Sequence, residues 1–277
     1  MTPHSLCLSI GYRANIARQL GVTNVSFHYY EGISEHTDRK IANSGMHLFL
    51  LNTLMGGLEK RSAKKCMLKV AQRIVSKLLS LVRDKAAKEA EELCALGQYE
   101  AAQVPLKLAI DLGHLPSRAH YACMLIVGRE GVASDRNAAF ELVKVGVRLG
   151  CHHCQGVMAW YYCENTYGCV MDAARSLELA RESSGKGSRY GQYVLGWLYL
   201  NGGGGVAQDD AQAVALYRLA AAQNLDEAQF SLGDMHYHGR GVAPDFAEAL
   251  RLYQLAAAQG HPEALFNVAQ RARSRRS

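Results

Sequence analysis

From about residue 117 the chain copies itself, and no other feature restricts its fold as much. A single Asp recurs at positions 135, 172, 209 and 245, at steps of 37, 37 and 36 residues. Upstream of each Asp, Tyr121-Ala122, Met158-Ala159, Leu195-Gly196 and Leu232-Gly233 fall in register. Downstream, Gly113, Gly150, Gly187, Asn224 and Gly260 mark successive unit ends. One unit of this size cannot bury an apolar face by itself, so neighbouring copies must stack to do it.

Each copy reads as two helices. Around Leu195, the residues Tyr193, Trp197, Leu198 and Leu200 give the first helix its apolar side. Gly196 and Gly233 fall in mid-helix, where Gly costs roughly 1 kcal/mol against Ala. Their recurrence in phase predicts a close approach between two helices that leaves no room for a side chain. The Gly-rich loops then end the first helix. Asp245 is the expected N-cap of the second helix, and Glu248 three residues on completes the pattern of a capping box; Asp209 and Gln212 repeat the device. The pairs Ala220-Ala221 and Ala256-Ala257 offer small faces for packing. The terminal Gly or Asn of each unit is the residue expected just past a helix C-terminus.

The run Leu-Gly-x-x-Tyr-x-x-Gly-x-Gly-Val-x-x-Asp-x-x-x-Ala-x-x-x-Tyr-x-x-Ala-Ala resembles the Sel1-like repeat, a relative of the tetratricopeptide repeat. Residues 188–260 carry the pattern strongly. Residues 117–187 keep its spacing but hold Ala122 and Ala159 in place of Gly, with an irregular loop at 164–171. Residues 97–113 are more similar to a tetratricopeptide unit whose first helix would cover about 83–96. The resulting organisation is an N-terminal segment (1–58), a basic helix with a tetratricopeptide-like hairpin (59–113), four Sel1-like repeats (114–260) and a capping helix with a basic tail (261–277). The resemblance implies an all-α, right-handed α/α superhelix and an adaptor or scaffold role for a protein or peptide partner. It also implies that first helices line a concave face. On that face the pattern places Trp160, Tyr193, Trp197, Asn201, Phe230, Asp234, Tyr237, His238 and Phe266, an aromatic surface with polar handles, as at peptide-recognition hot spots. The same aromatic residues can instead fill the space between repeats. Some members of the family are reported as weak hydrolases, but no nucleophile–base pair is visible in this sequence.

Charge is uneven. The whole chain carries +6. Between Glu59 and Lys88 stand ten basic residues (Lys60, Arg61, Lys64, Lys65, Lys69, Arg73, Lys77, Arg83, Lys85, Lys88) against Glu59 and Asp84. Met67, Ala71, Ile74, Val75, Leu78, Leu79 and Val82 form an apolar stripe within this segment. Two readings follow: a helix packed on the first repeat with a solvated basic face, or a docking face for an anionic lipid, nucleic acid or acidic partner. The segment has no aromatic residue, which argues against a base-stacking surface. Residues 1–58 hold no repeat. They have no acidic residue before Glu31 but contain Arg13 and Arg18, a pattern shared by organelle transit peptides and ordinary N-terminal segments. The basic tail at 271–276 reads as a solvated end.

Eight cysteines are present. Cys151-His152-His153-Cys154 has the spacing of half a zinc site, but the second half, Cys163 and Cys169, is loosely spaced. The repeat register also separates Cys154 from Cys163 along one helix. The units around Leu195 and Leu232 contain no cysteine, so a disulfide in every unit is excluded. Free thiols acting as small apolar fillers in a reducing compartment, the cytoplasm, are the expected state. His236 is expected as a packed core residue. No phosphate loop and no cofactor motif is present: Gly202–Gly205 lacks both the Lys and the preceding strand. The sequence therefore points to no cofactor and no enzyme, and no apolar run is long enough to span a membrane.

Overall fold

The computed structural model describes residues 61–164 and 172–274, with side chains for 69–163 and 172–271. Among the described residues there are eleven helices and no strand. They are α1 (Arg61–Ala95), α2 (Tyr99–Asp111), α3 (Leu115–Val127), α4 (Arg136–Arg148), α5 (His152–Glu164) and α6 (Ala173–Gly185). The remaining five are α7 (Arg189–Asn201), α8 (Asp210–Ala222), α9 (Asp226–His238), α10 (Phe246–Ala258) and α11 (Pro262–Ser274). The chain divides between Val75 and Ser76 into two units; the described part of the first, residues 61–75, lies in α1.

In the second unit the helices pair as hairpins, α3 with α4, α5 with α6, α7 with α8 and α9 with α10, and each hairpin packs on the next. This is the expected all-α solenoid of stacked hairpins. The recurring Asp explains the period, because it acts twice. Its carboxylate caps the second helix: Asp135 accepts from Ala138 N–H at 2.9 Å, Asp172 from Arg175 at 2.8 Å, Asp209 from Gln212 at 2.9 Å and Asp245 from Glu248 at 2.9 Å. Its own N–H donates back to the first helix, to the carbonyls of Leu125, Tyr162, Tyr199 and His236 at 2.9–3.1 Å. That second bond corrects one expectation. A capping box needs the N3 side chain to reach the Asp N–H. Here the N–H is already taken, and the Glu248 carboxylate pairs with Arg251 instead.

The unit ends behave as expected. Gly113, Gly150, Gly187, Asn224 and Gly260 all adopt positive φ, between 59° and 89°. The mid-helix glycines also have their reason. A Cβ on Gly196 would stand 2.9 Å from two ring carbons of Tyr217, and one on Gly233 would stand 2.8–2.9 Å from the Tyr253 ring. Each Gly lets the tyrosine of its own hairpin lie flat on the first helix. Small side chains also let other helices approach closely: Ala119, Ala122, Ala139, Ala159, Ala180, Ala213, Ala220, Ala228 and Ala256 are completely buried.

Helix α1 departs from expectation in two ways. It runs unbroken from Arg61 to Ala95 rather than starting a hairpin near residue 83. It packs through Ala86, Ala87, Ala90 and Cys94, which are buried against α2 and the core. Ile74 and Leu78, members of the predicted packing stripe, are exposed. Small residues allow a close approach that a larger side chain such as Leu78 would prevent.

Candidate functional site

The second unit is tied to itself across long sequence distances. Tyr99 Oη at the start of α2 donates to the Gln259 carbonyl after α10 at 2.6 Å. Arg129, just past α3, reaches the start of α9 and donates through Nη2 to Asp226 Oδ2 at 2.5 Å and Glu227 Oε1 at 3.1 Å. All three charged side chains are largely buried. The Arg129 guanidinium lies over the Tyr99 ring at 5.1 Å. Burial acts to lower the Arg129 pKa, but the Asp226 and Glu227 carboxylates outweigh it and hold the group cationic. Glu227 is pushed up to about 8, first by burial and then by Asp226 beside it.

These residues border a cavity of about 500 Å³, whose walls also include Cys94, His120, Cys123, Arg189 and Tyr190. Arg189 donates to the Gln223 carbonyl and to Tyr190 Oη, both at 3.1 Å. Burial pushes the Cys94 thiol up to about 12 and the His120 imidazole down to about 3, so both stay neutral.

None of the nine residues expected on the concave face lines this cavity. Four of them pack between helices. Trp160 on α5 stands 5.7 Å from Tyr193 on α7, and Tyr193 stands 5.6 Å from Tyr217 on α8. Phe230 stacks on His261 at 4.6 Å and lies 5.6 Å from Tyr253. Asp234 accepts from Tyr253 Oη at 2.5 Å. The other five are exposed. Trp197, Tyr237 and Phe266 show 40–66% of their surface, and Asn201 and His238 are also open. Asn201 Nδ2 donates to the Trp197 carbonyl at 2.8 Å. Tyr237 meets His238 and Phe246 edge to face, at 4.9 and 5.3 Å. The structure thus gathers Tyr237, His238 and the unforeseen Phe246 into one aromatic cluster, and keeps Trp197 with Asn201 on the preceding hairpin. Phe246 sits directly after the capping Asp245, and that register position was the signal available for it.

The cysteine motif assembles differently from a metal half-site. Cys151 precedes α5, and its pKa is drawn down to about 6, first by the hydrogen bond from the Cys154 thiol and further by backbone N–H groups at the helix start. Both are buried free thiols. His153 Nδ1 meets Ser188 Oγ at 3.1 Å, and Cys163 Sγ meets Ser176 Oγ at 2.9 Å. Cys169 lies outside the described residues. Among the described residues no group of three or more His, Cys, Asp and Glu could hold a metal ion. His236 is buried, as expected of a core residue. No described helix is long and apolar enough to cross a membrane.

Comparison with known proteins returns one family. The Sel1 repeat model matches residues 189–225 and 226–261, which are the α7–α8 and α9–α10 hairpins with their connections. No curated protein matches the chain. Eighteen solved chains are similar, three of them as follows. A Sel1 repeat protein from Oxalobacter formigenes is 28% identical over 46% of this chain and 95% of that one, with a TM-score of 0.39. The protective antigen c5321 of uropathogenic Escherichia coli, which displays an SLR fold, is 22% identical over 86% of this chain and 51% of that one, with a TM-score of 0.41. A sel1 repeat protein from Klebsiella pneumoniae subsp. pneumoniae is 20% identical over 68% of this chain and 92% of that one, with a TM-score of 0.44. Residues 189–261, with the loop Asp, the mid-helix Gly and its tyrosine in each copy, are two Sel1 repeats.

Proposed function

We propose that this protein is a non-enzymatic scaffold that binds a partner peptide or protein along the first helices of its repeats. Sel1 repeats are generally protein-interaction modules. The observation that carries the reading is the exposure of Trp197, Tyr237 and Phe266 on three successive first helices, α7, α9 and α11. Asn201, Asp234 and His238 stand on the same helices as polar groups, and Trp160, Tyr193 and Phe230 pack between helices. Flat aromatic residues with nearby hydrogen-bonding groups make efficient anchors, because they bury much area and lose little side-chain freedom. The five cysteines whose side chains are described are free thiols, which accords with a reducing compartment such as the cytoplasm.

The test is selection of peptides against the full chain from a displayed library, followed by affinity measurement on Trp197→Ala/Tyr237→Ala. The double substitution should weaken the selected peptides about thirtyfold or more, with helicity by circular dichroism unchanged. Equal affinity for wild type and variant would move the binding surface elsewhere.

A second contact is favoured by one specific observation. Residues 61–83 of α1 contain seven basic residues (Arg61, Lys64, Lys65, Lys69, Arg73, Lys77, Arg83) and no acidic one. The segment Lys60–Lys88 is accordingly read as a contact for an anionic surface.

A further inference from the structure

The exposed apolar face of α1 gives that anionic-surface reading a specific partner. Val70, Ile74, Leu78 and Leu81 follow one another at steps of four, four and three residues, which keeps them on one side of a helix. All four are 45–58% exposed. Ala90 and Cys94, which α1 buries against the core, fall on nearly the opposite side from Leu78 and Leu81 at about 100° per residue. Leu78 and Leu81 therefore look away from the hairpins. Lys69, Arg73 and Lys77 run along one flank of it, and Lys85 and Lys88 extend its C-terminal end. Asp84 is paired with Arg83 at 2.8 Å, and the next acidic residues begin at Glu89.

Each alternative occupant leaves one of these features unused. A nucleic acid would meet the charge but leave the apolar stripe in water, and no aromatic residue stands between 59 and 88 to stack on a base. A second copy would cover the stripe but bring two strongly basic segments together. An anionic bilayer uses both features: the stripe enters the interface, and the long Lys and Arg stems lie along it with their charges at the headgroups. We infer that α1 lies on a phospholipid surface bearing anionic headgroups, with Val70, Ile74, Leu78 and Leu81 inserted and Lys69, Arg73 and Lys77 against the headgroups. This rests on the anionic-surface reading of Lys60–Lys88 and gives it a depth as well as a charge.

The experiment is flotation of the full chain with vesicles of phosphatidylcholine alone, or of phosphatidylcholine containing about one-third phosphatidylserine, using wild type and Ile74→Glu/Leu81→Glu. Both substituted positions are exposed, so unchanged helicity is the control on folding. Wild type should float only with phosphatidylserine, and the variant's partitioning should fall by at least about a hundredfold. Equal flotation of both proteins would overturn insertion and leave a contact by charge alone. Wild-type flotation with neither vesicle would overturn both the insertion and the anionic-surface reading. Self-association in vesicle-free solution that the variant abolishes, without wild-type flotation, would assign the stripe to a second copy and overturn the inference.

Discussion

Substituting Gly196 by Ala tests the packing logic of the repeat. The added Cβ would lie 2.9 Å from two ring carbons of Tyr217, and also 3.4 Å from the Ala213 carbonyl oxygen. Tyr217 is 1% exposed and has Tyr193 5.6 Å away, so its ring has little room to retreat. Overpacking of this kind costs about 1–3 kcal/mol. The helix itself gains roughly 1 kcal/mol from replacing Gly by Ala. The net change is then a loss of about 0–2 kcal/mol, too wide a range to decide the question alone. The two earlier repeats provide the control. At the positions of Gly196 and Tyr217 they hold Ala159 with Ala180, and Ala122 with Val143, all buried. Where the first helix carries a Cβ at this position, the second helix carries a side chain smaller than Tyr. In a Tyr217→Val background Gly196→Ala should stabilise, because only the propensity gain remains. The four proteins of this cycle, compared by urea unfolding followed by circular dichroism, should show a coupling of about 1–3 kcal/mol with a common m-value. Additivity within about 0.3–0.5 kcal/mol would mean that Gly196 is not there to admit the Tyr217 ring.

Two further outcomes follow from the buried groups and the caps. Glu227 has a folded-state pKa raised to about 8, above its unfolded value near 4.5. Its contribution to stability is therefore complete below about pH 4.5 and is lost as pH rises through about 8, with a slope of at most about 1.4 kcal/mol per pH unit; Glu227→Gln should remove that slope, and an unchanged pH profile of chemical denaturation would refute the assignment. Replacing Asp245 by Ala removes the acceptor for the Ala247 and Glu248 N–H groups and should cost about 1 kcal/mol, with Asp245→Asn recovering most of the loss; equal unfolding midpoints for the two variants would show that the carboxylate is not the cap.

Much of the repeat architecture was legible in residue order because its determinants are local. The loop Asp, the terminal Gly and the apolar spacing each act within about one turn of where they stand, so a period visible in letters became a period of hairpins. Gly196 and Gly233 were readable for the same reason: their recurrence in phase signals a close approach, and the partner is a tyrosine of the same hairpin. Trp197 and Tyr237 could be placed on first helices, but not sorted from Tyr193 and Phe230. Exposure depends on what the next hairpin puts opposite, and the sequence carries no such angle.

Residue order alone determined an all-helical stack of hairpins of about 37 residues. Only the tertiary structure decided which hairpins meet out of sequence. The Arg129 contact with Asp226 and Glu227 spans 97 and 98 residues, and that of Tyr99 with Gln259 spans 160. It also decided which side of α1 is covered. Both outcomes depend on small rotations between neighbouring hairpins that add up along the stack, and such sums are fixed by packed side chains in three dimensions rather than by any local pattern.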